Sequence, residues 1–183
     1  MGKYIRVMIQ ISYSLLRFCF IKLLCLKDIS FTVLNLVSPL TSIQIDKKGS
    51  LILKKYVRMR SGTKLIIRKN ATIEIGENTF INHNCILTAH QRITIGKNVQ
   101  IGPNVLIYDH DHDYKNKNVP NPYVTTAVDI GNNVWIGANV VILRGTKIGD
   151  NSVVGAGSVI RGVYPKNVTI VQKRHTSVYT HKR

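Results

Sequence analysis

Along most of this chain an aliphatic residue recurs every six positions. Ile95, Ile101 and Ile107 keep that spacing, and after a gap Ile130, Ile136, Ile142, Ile148, Val154 and Ile160 take it up again. Gly follows most of them, and a small residue stands four positions on: Val99, Val105, Val134, Val140, Thr146, Ser152 and Ser158. A hexad is long enough for one short strand and one turn. Three hexads close a triangular coil, and successive coils stack as parallel strands about 4.8 Å apart. The aliphatic points inward, the small residue fits the narrow corner beside it, and Gly or Asn takes the turn positions that need positive φ. The pattern therefore predicts an all-β parallel β-helix. The repeat is weaker upstream, where Leu51, Leu53, Leu65, Ile67, Ile73, Ile75, Ile81 and Leu87 carry it and Gly49, Gly62 and Asn70 supply turns. Coils are expected from about residue 41 to 171.

Residues 1–40 lack the beat and are rich in Ile, Leu, Phe and Tyr, which reads as a helical, non-repeat segment. Arg17 and Lys22 interrupt every apolar window of the roughly 20 residues needed to cross a bilayer, and no small-residue cleavage site follows the apolar run. The segment is read either as a cap over the open end of the β-helix or as a basic amphipathic helix lying on anionic lipid. Residues 172–183 form a basic tail.

The second break lies inside the repeats, at residues 108–129. A loop of this length in a compact domain is commonly functional. It opens with Asp109-His110-Asp111-His112-Asp113, the densest run of ionisable groups in the chain, and it leaves directly from a rigid coil. A catalytic base mounted there would be held in place by the scaffold. Imidazole suits proton abstraction near neutral pH.

Charge narrows the partners. The 183 residues hold 26 Lys and Arg against 9 Asp and Glu, a net charge of +17. Such a surface attracts polyanions such as phosphorylated cofactors, acidic glycans and anionic membrane. Nucleic acid is not expected, because the cations are scattered and no stacking platform accompanies them. Three cysteines (Cys19, Cys25 and Cys85) make no disulfide framework and fit a reducing cytoplasm. Cys85, within the repeats, is read as a small buried hydrophobe.

The Ile-Gly-x-Asn-Val hexads resemble those of the hexapeptide-repeat acyltransferases, and the resemblance implies a left-handed coil, although parallel crossovers are ordinarily right-handed. The stretch Ile-Gly-Pro-Asn-Val-Leu-Ile-Tyr-Asp-His-Asp-His is similar to the catalytic segment of the galactoside, maltose and capsule or lipopolysaccharide O-acetyltransferases. In that family a His ten residues after the Gly is the general base, here His112. Asp109, Asp111 or Asp113 could orient its ring, and Asp109 and Asp111 are nominated at the acceptor. Phe80-Ile-Asn-His-Asn-Cys resembles the family's acceptor-binding segment and nominates Asn82. The coils around Val134-Trp-Ile-Gly-Ala-Asn-Val and Gly-Ala-Gly-Ser resemble those along which acetyl-CoA lies. They nominate Trp135 beside the acceptor and Gly137, Ala138 and Ala156 along the donor, with the Ala138 N–H in place of a relative's Ser as oxyanion donor. Arg161, Lys173 and Arg174 are candidates for the CoA phosphates.

The resemblance further implies a homotrimer with its cleft between subunits and a sugar acceptor, for which the Asp-His-Asp-His variant and the positive charge favour a glycan. Direct attack is expected rather than an acyl-enzyme, because no Ser or Cys is paired with a base. The expected location is the cytoplasm, with the N-terminal segment and the charge allowing peripheral contact with anionic membrane. A metal is not expected. The γ-class carbonic anhydrases share the fold but carry two His five residues apart on one segment, whereas His110 and His112 are two apart. N-acetylation of an amino sugar and a non-catalytic basic β-helix that binds acidic glycan are the alternatives.

Overall fold

In the computed structural model, residues 2–23, 28–32, 34–115, 118, 122–173 and 177–179 are described. A helix over Gly2–Leu23 leads into a coil that winds through three parallel sheets. The first sheet has seven strands, from Asp28–Ser30 to Val163–Tyr164. The second also has seven, from Leu36–Val37 to Thr169–Ile170. The third has six, from Ser42–Ile45 to Val159–Ile160. Each turn of chain crosses the three sheets in that order. The turn from first to second sheet is called here the first corner, that from second to third the second corner, and the return to the first sheet the third corner.

The six-residue beat becomes vertical stacking. Ile75, Ile95, Ile130 and Ile148 are aligned in the first sheet, and Ile81, Ile101, Ile136 and Val154 in the second. Leu87, Ile107, Ile142 and Ile160 are aligned in the third. All of these are buried, each contributing about 1.5–3 kcal/mol relative to exposure. The narrow corners hold small side chains, as the pattern predicts. Thr79 Oγ1 donates to the Gly96 carbonyl at 2.8 Å and Thr63 Oγ1 to that of Asn82 at 2.9 Å, so a buried hydroxyl is satisfied at each.

The turn asparagines do more than tolerate positive φ. At the first corner Asn78, Asn98, Asn133, Asn151 and Asn167 all have φ between 55° and 62°. The Nδ2 of each of the first four donates to the Oδ1 of the Asn one coil on, at 3.0–3.1 Å. One coil below Asn78 the same turn position holds Tyr56, at φ 61°, and the Asn78 N–H bonds the Lys55 carbonyl beside it. A bulky side chain in this region costs about 1–2 kcal/mol. Tyr56→Asn should therefore raise the stability by about 1 kcal/mol and the melting temperature by roughly 2–4 °C. An unchanged or lower melting point would show that the Tyr56 ring contributes packing of similar size.

The ladder begins earlier than the repeat pattern indicates. Asp28–Ser30 pairs in register with Ser50–Ile52, and Leu36–Val37 with Arg58–Met59, so the coil starts at Asp28 rather than near residue 41. Its buried Ile29 and Val37 are eight residues apart, which takes them out of the hexad phase. The helix lies over this first coil. Ser14 Oγ bonds both the N–H and the carbonyl of Val37 at 3.1 Å, Arg17 donates to the Thr41 carbonyl, and buried Phe18 packs on Phe31 at 5.1 Å. At the far end the Gln172 side-chain amide bonds the Val159 N–H and carbonyl at 2.9 and 2.7 Å, pairing with the open edge of the third sheet in place of a further strand.

Candidate active site

The excursion leaves the third corner after Leu106–Tyr108 and returns at Val128–Ile130. It is built rather than loose at its root. His110–His112 pairs antiparallel with Tyr123–Thr125, placing His112 opposite Tyr123. The Thr126 N–H bonds the Asp109 carbonyl at 2.8 Å, and the Asp113 N–H bonds the Pro122 carbonyl at 2.8 Å.

Two carboxylates staple this arm to the coils. Asp109 is fully buried and accepts three backbone N–H bonds from the coil below, from His90 (2.8 Å), Gln91 (2.6 Å) and Arg92 (2.7 Å). Asp111 is paired with the Arg144 guanidinium and lies 3.8 Å from that of Arg161. Arg144 also donates to Thr126 Oγ1. The burial of Asp109 corrects one expectation, since it has no surface left to offer an acceptor. Arg161, nominated for the CoA phosphates, lies at the same corner, half-exposed and 3.8 Å from Asp111. Asp111 is half-exposed, but its charge is already compensated.

The aromatic and imidazole rings of the arm stack into one cluster. His90 lies 3.9 Å from His110 between ring centroids and 4.3 Å from Tyr123, while Tyr123 lies 4.7 Å from His112. His110 is mostly buried, with its Nδ1 3.3 Å from Asp109 Oδ1. Burial, reinforced by the neighbouring His110, holds the His90 pKa below the ordinary histidine value, so His90 stays neutral in the stack. His112, at the outer end of the cluster, is exposed and steadied by Tyr123. Among the described residues no nucleophile is paired with it. Cys85 is buried, donates to the Gly102 carbonyl at 3.2 Å, and has its thiol pKa pushed up by burial.

The remaining candidates sit elsewhere. At the second corner Gly102, Gly137 and Gly155 are stacked so closely that a Cβ on Gly137 would come within 2.6 Å of the Ala156 nitrogen. At the first corner the turn N–H groups are capped: that of Lys97 by Asn132 Oδ1, and that of Asn132 by Asp150, whose carboxyl is thereby held below its usual range. The corresponding N–H groups of Ala138 and Ala156 have no acceptor among the described residues. Asn82 is at the same corner, its Oδ1 accepting the His83 N–H at 2.9 Å and its Nδ2 unpartnered among the described residues. Trp135 is exposed on the second sheet, aligned between Gln100 and Val153. Lys173 is exposed, and Arg174 lies outside the described residues.

Within one chain, therefore, the residues form two groups. His112, Asp109, Asp111 and Arg161 gather at the third corner. Asn82, Gly137, Ala138 and Ala156 gather at the second, with the width of the third sheet between them. Two members of the arm cluster escaped the sequence reading. His90 could have been found by coil register, since Thr88 pairs with Tyr108 and position 90 must then underlie position 110. Tyr123 carried no signal, because nothing periodic marks the returning strand of the arm.

A three-sheet parallel coil of hexads with one histidine-bearing arm defines a hexapeptide-repeat protein, consistent with the left-handed β-helix. The family model described as bacterial transferase hexapeptide (six repeats) matches residues 127–162. The chain is 35% identical over 136 residues to WbbJ of Escherichia coli K12, named as a lipopolysaccharide biosynthesis O-acetyl transferase, covering 69% of each chain to the nearest per cent. It therefore belongs to the hexapeptide-repeat transferase family. It is also 35% identical over 130 residues to the galactoside O-acetyltransferase of the same strain, covering 68% of this chain and 64% of the relative. Two yeast acetyltransferases are matched over only about half of their own length. Among solved structures, a maltose O-acetyltransferase from Clostridium difficile 630 is similar at 35% identity and TM-score 0.52, over 73% of this chain and 66% of that one. AntD, an N-acyltransferase from Bacillus cereus, shares the fold at TM-score 0.70 and 20% identity, over 94% and 89% of the two chains.

Proposed function

We propose that the protein transfers the acetyl group of acetyl-CoA to a sugar hydroxyl of a glycan, of the capsular or lipopolysaccharide kind, with His112 as general base. The observation that carries this reading is an exposed imidazole held on the paired root of an anchored arm, with no reactive nucleophile beside it among the described residues. The O-acetyltransferase relatives support the reaction type, and the similarity to WbbJ supports the glycan.

In the proposed step the acceptor oxygen attacks the thioester carbonyl carbon while His112 removes the hydroxyl proton. The carbonyl oxygen becomes an oxyanion, for which the unpartnered Ala138 N–H is a preorganised donor. The C–S bond then breaks, and the imidazolium returns the proton to the departing thiolate, leaving an acetyl ester and free CoA. Pantetheine carries amide groups like a peptide strand, so it can lie along the second corner, where Gly137 and Ala156 keep the surface low. Asn82 Nδ2 is free to bond the acceptor, Trp135 offers a ring to a sugar face, and Lys173 with Arg174 offers charge to the phosphates. With acetyl-CoA as donor, this reading takes the reaction to be cytoplasmic.

The site is shared between copies in this reading. A His at the third corner and a donor rail at the second meet when one copy's third corner faces its neighbour's second corner. That is a heterologous contact, and threefold rotation closes it. The test is to incubate the protein with labelled acetyl-CoA and a panel of glycans that includes amino sugars, following thiol release and the acetylated product together. An ester product supports the reading, an amide product replaces it with N-acetylation, and absence of acceptor-dependent thiol release across the panel sinks it.

A further inference from the structure

The N-terminal helix carries apolar side chains on the face turned away from the molecule as well as on the face turned toward it. Phe18 is buried on the inner face, where Ser14 and Arg17 also bond the first coil. The outer face carries Ile5, Met8, Ile9, Leu16, Phe20 and Leu23, each between 52% and 71% exposed. These six fall on one arc of roughly 120° of the helix circumference, in which no charged residue lies and Ser12 is the polar one. Among the described residues no helix is long and apolar enough to cross a membrane. At about 1.5 Å per residue the helix is roughly 33 Å long, so the arc forms a long apolar strip broken by Ser12. A strip of this kind on an otherwise charged surface marks a contact.

The coil directly beneath the one that the helix covers supplies the second observation. Residues 46–69, one full coil, hold nine of the chain's 26 Lys and Arg against the single acid Asp46. They are spread over all three corners and the strands between, among them exposed Lys47, Lys55, Arg58, Lys64 and Lys69. The apolar strip is thus mounted on a cationic ring at the same end of the molecule. A second copy brought against this end would set one cationic ring against another. An anionic leaflet satisfies both features at once, with acyl chains for the strip and headgroups for the ring.

We infer that this end is a docking surface for anionic membrane, with the helix lying flat in the leaflet interface. A cleft of about 350 Å³ lined by Ile9, Tyr13, Arg60 and His83 shares Ile9 with the strip and reaches the second corner beside Asn82. Docking would therefore set the proposed acceptor corner close to the lipid, within reach of a membrane-attached glycan.

The test is flotation of the full chain with vesicles of phosphatidylcholine alone and of phosphatidylcholine mixed with phosphatidylglycerol. Binding is expected to the mixed vesicles only and to weaken as salt is raised. The double variant Leu16→Glu, Phe20→Glu should lose at least about tenfold in vesicle affinity. A second variant that leaves the helix untouched, Lys47→Gln, Lys55→Gln, Lys69→Gln, should weaken binding by a similar factor. Thermal unfolding and solution mass are measured on each. The inference is overturned by failure to bind the mixed vesicles, by equal binding to the neutral ones, or by a Leu16→Glu, Phe20→Glu protein whose solution mass falls, which would make the strip a subunit contact.

Discussion

His112→Ala is expected to lower kcat for acetyl transfer by about 10²–10⁴-fold while leaving the melting temperature close to that of the parent. The side chain is exposed, and its one ring contact is with Tyr123, so its loss removes chemistry and little packing. His110→Ala should behave differently. That ring is mostly buried, stacks on His90 and is paired with Asp109, so its removal leaves a void in the cluster and lowers both stability and kcat by smaller amounts. Measuring turnover and thermal unfolding on both variants separates the roles. If His112→Ala kept full turnover and His110→Ala abolished it at unchanged stability, the base would be the imidazole oriented by the buried carboxylate.

The contrast between these two histidines shows how far one-dimensional reading reaches. The scaffold was legible because its period is short and its side chains alternate between few roles. Ile95, Ile101 and Ile107 announce three strands, and the Asn at each turn announces positive φ. The first coil escaped because Ile29 and Val37 are eight residues apart and the Asn between them, Asn35, is buried and outside the positive-φ turn positions. The arm was legible as an interruption rich in Asp and His, and family resemblance separated His112 from His110. Its internal wiring was not, since it depends on partners from other coils. Asp111 meets Arg144 across 33 residues, and Asp109 meets backbone N–H groups, which have no signature in sequence. The gathering of Asn82 and Ala138 at a corner other than that of His112 was equally hidden, because a six-residue beat assigns strands to sheets without showing which corner faces a neighbour.

Asp109→Ala should be the most damaging single substitution in the arm. The carboxylate is fully buried and accepts three backbone N–H bonds, all between 2.6 and 2.8 Å. Hydrogen bonds to a charged acceptor contribute about 1.5–3 kcal/mol each. Removing the acceptor also leaves the His90, Gln91 and Arg92 amides without partners, in a pocket that the shorter Ala side chain leaves partly empty. Water entering the gap recovers part of that cost, so a net loss of about 3–5 kcal/mol is expected, equivalent to roughly 10 °C in melting temperature for a chain of this size. Asp109→Asn should lose less, because its amide oxygen still accepts, but its NH₂ then opposes a backbone donor. The damage should be local as well as global. Hydrogen exchange at residues 90–92 should accelerate ahead of the coils on either side, and kcat should fall with it, because the arm that aims His112 has lost its root. An Asp109→Ala protein that melted with the parent and kept slow exchange at those amides would show that the arm is anchored by the Asp111–Arg144 pair instead.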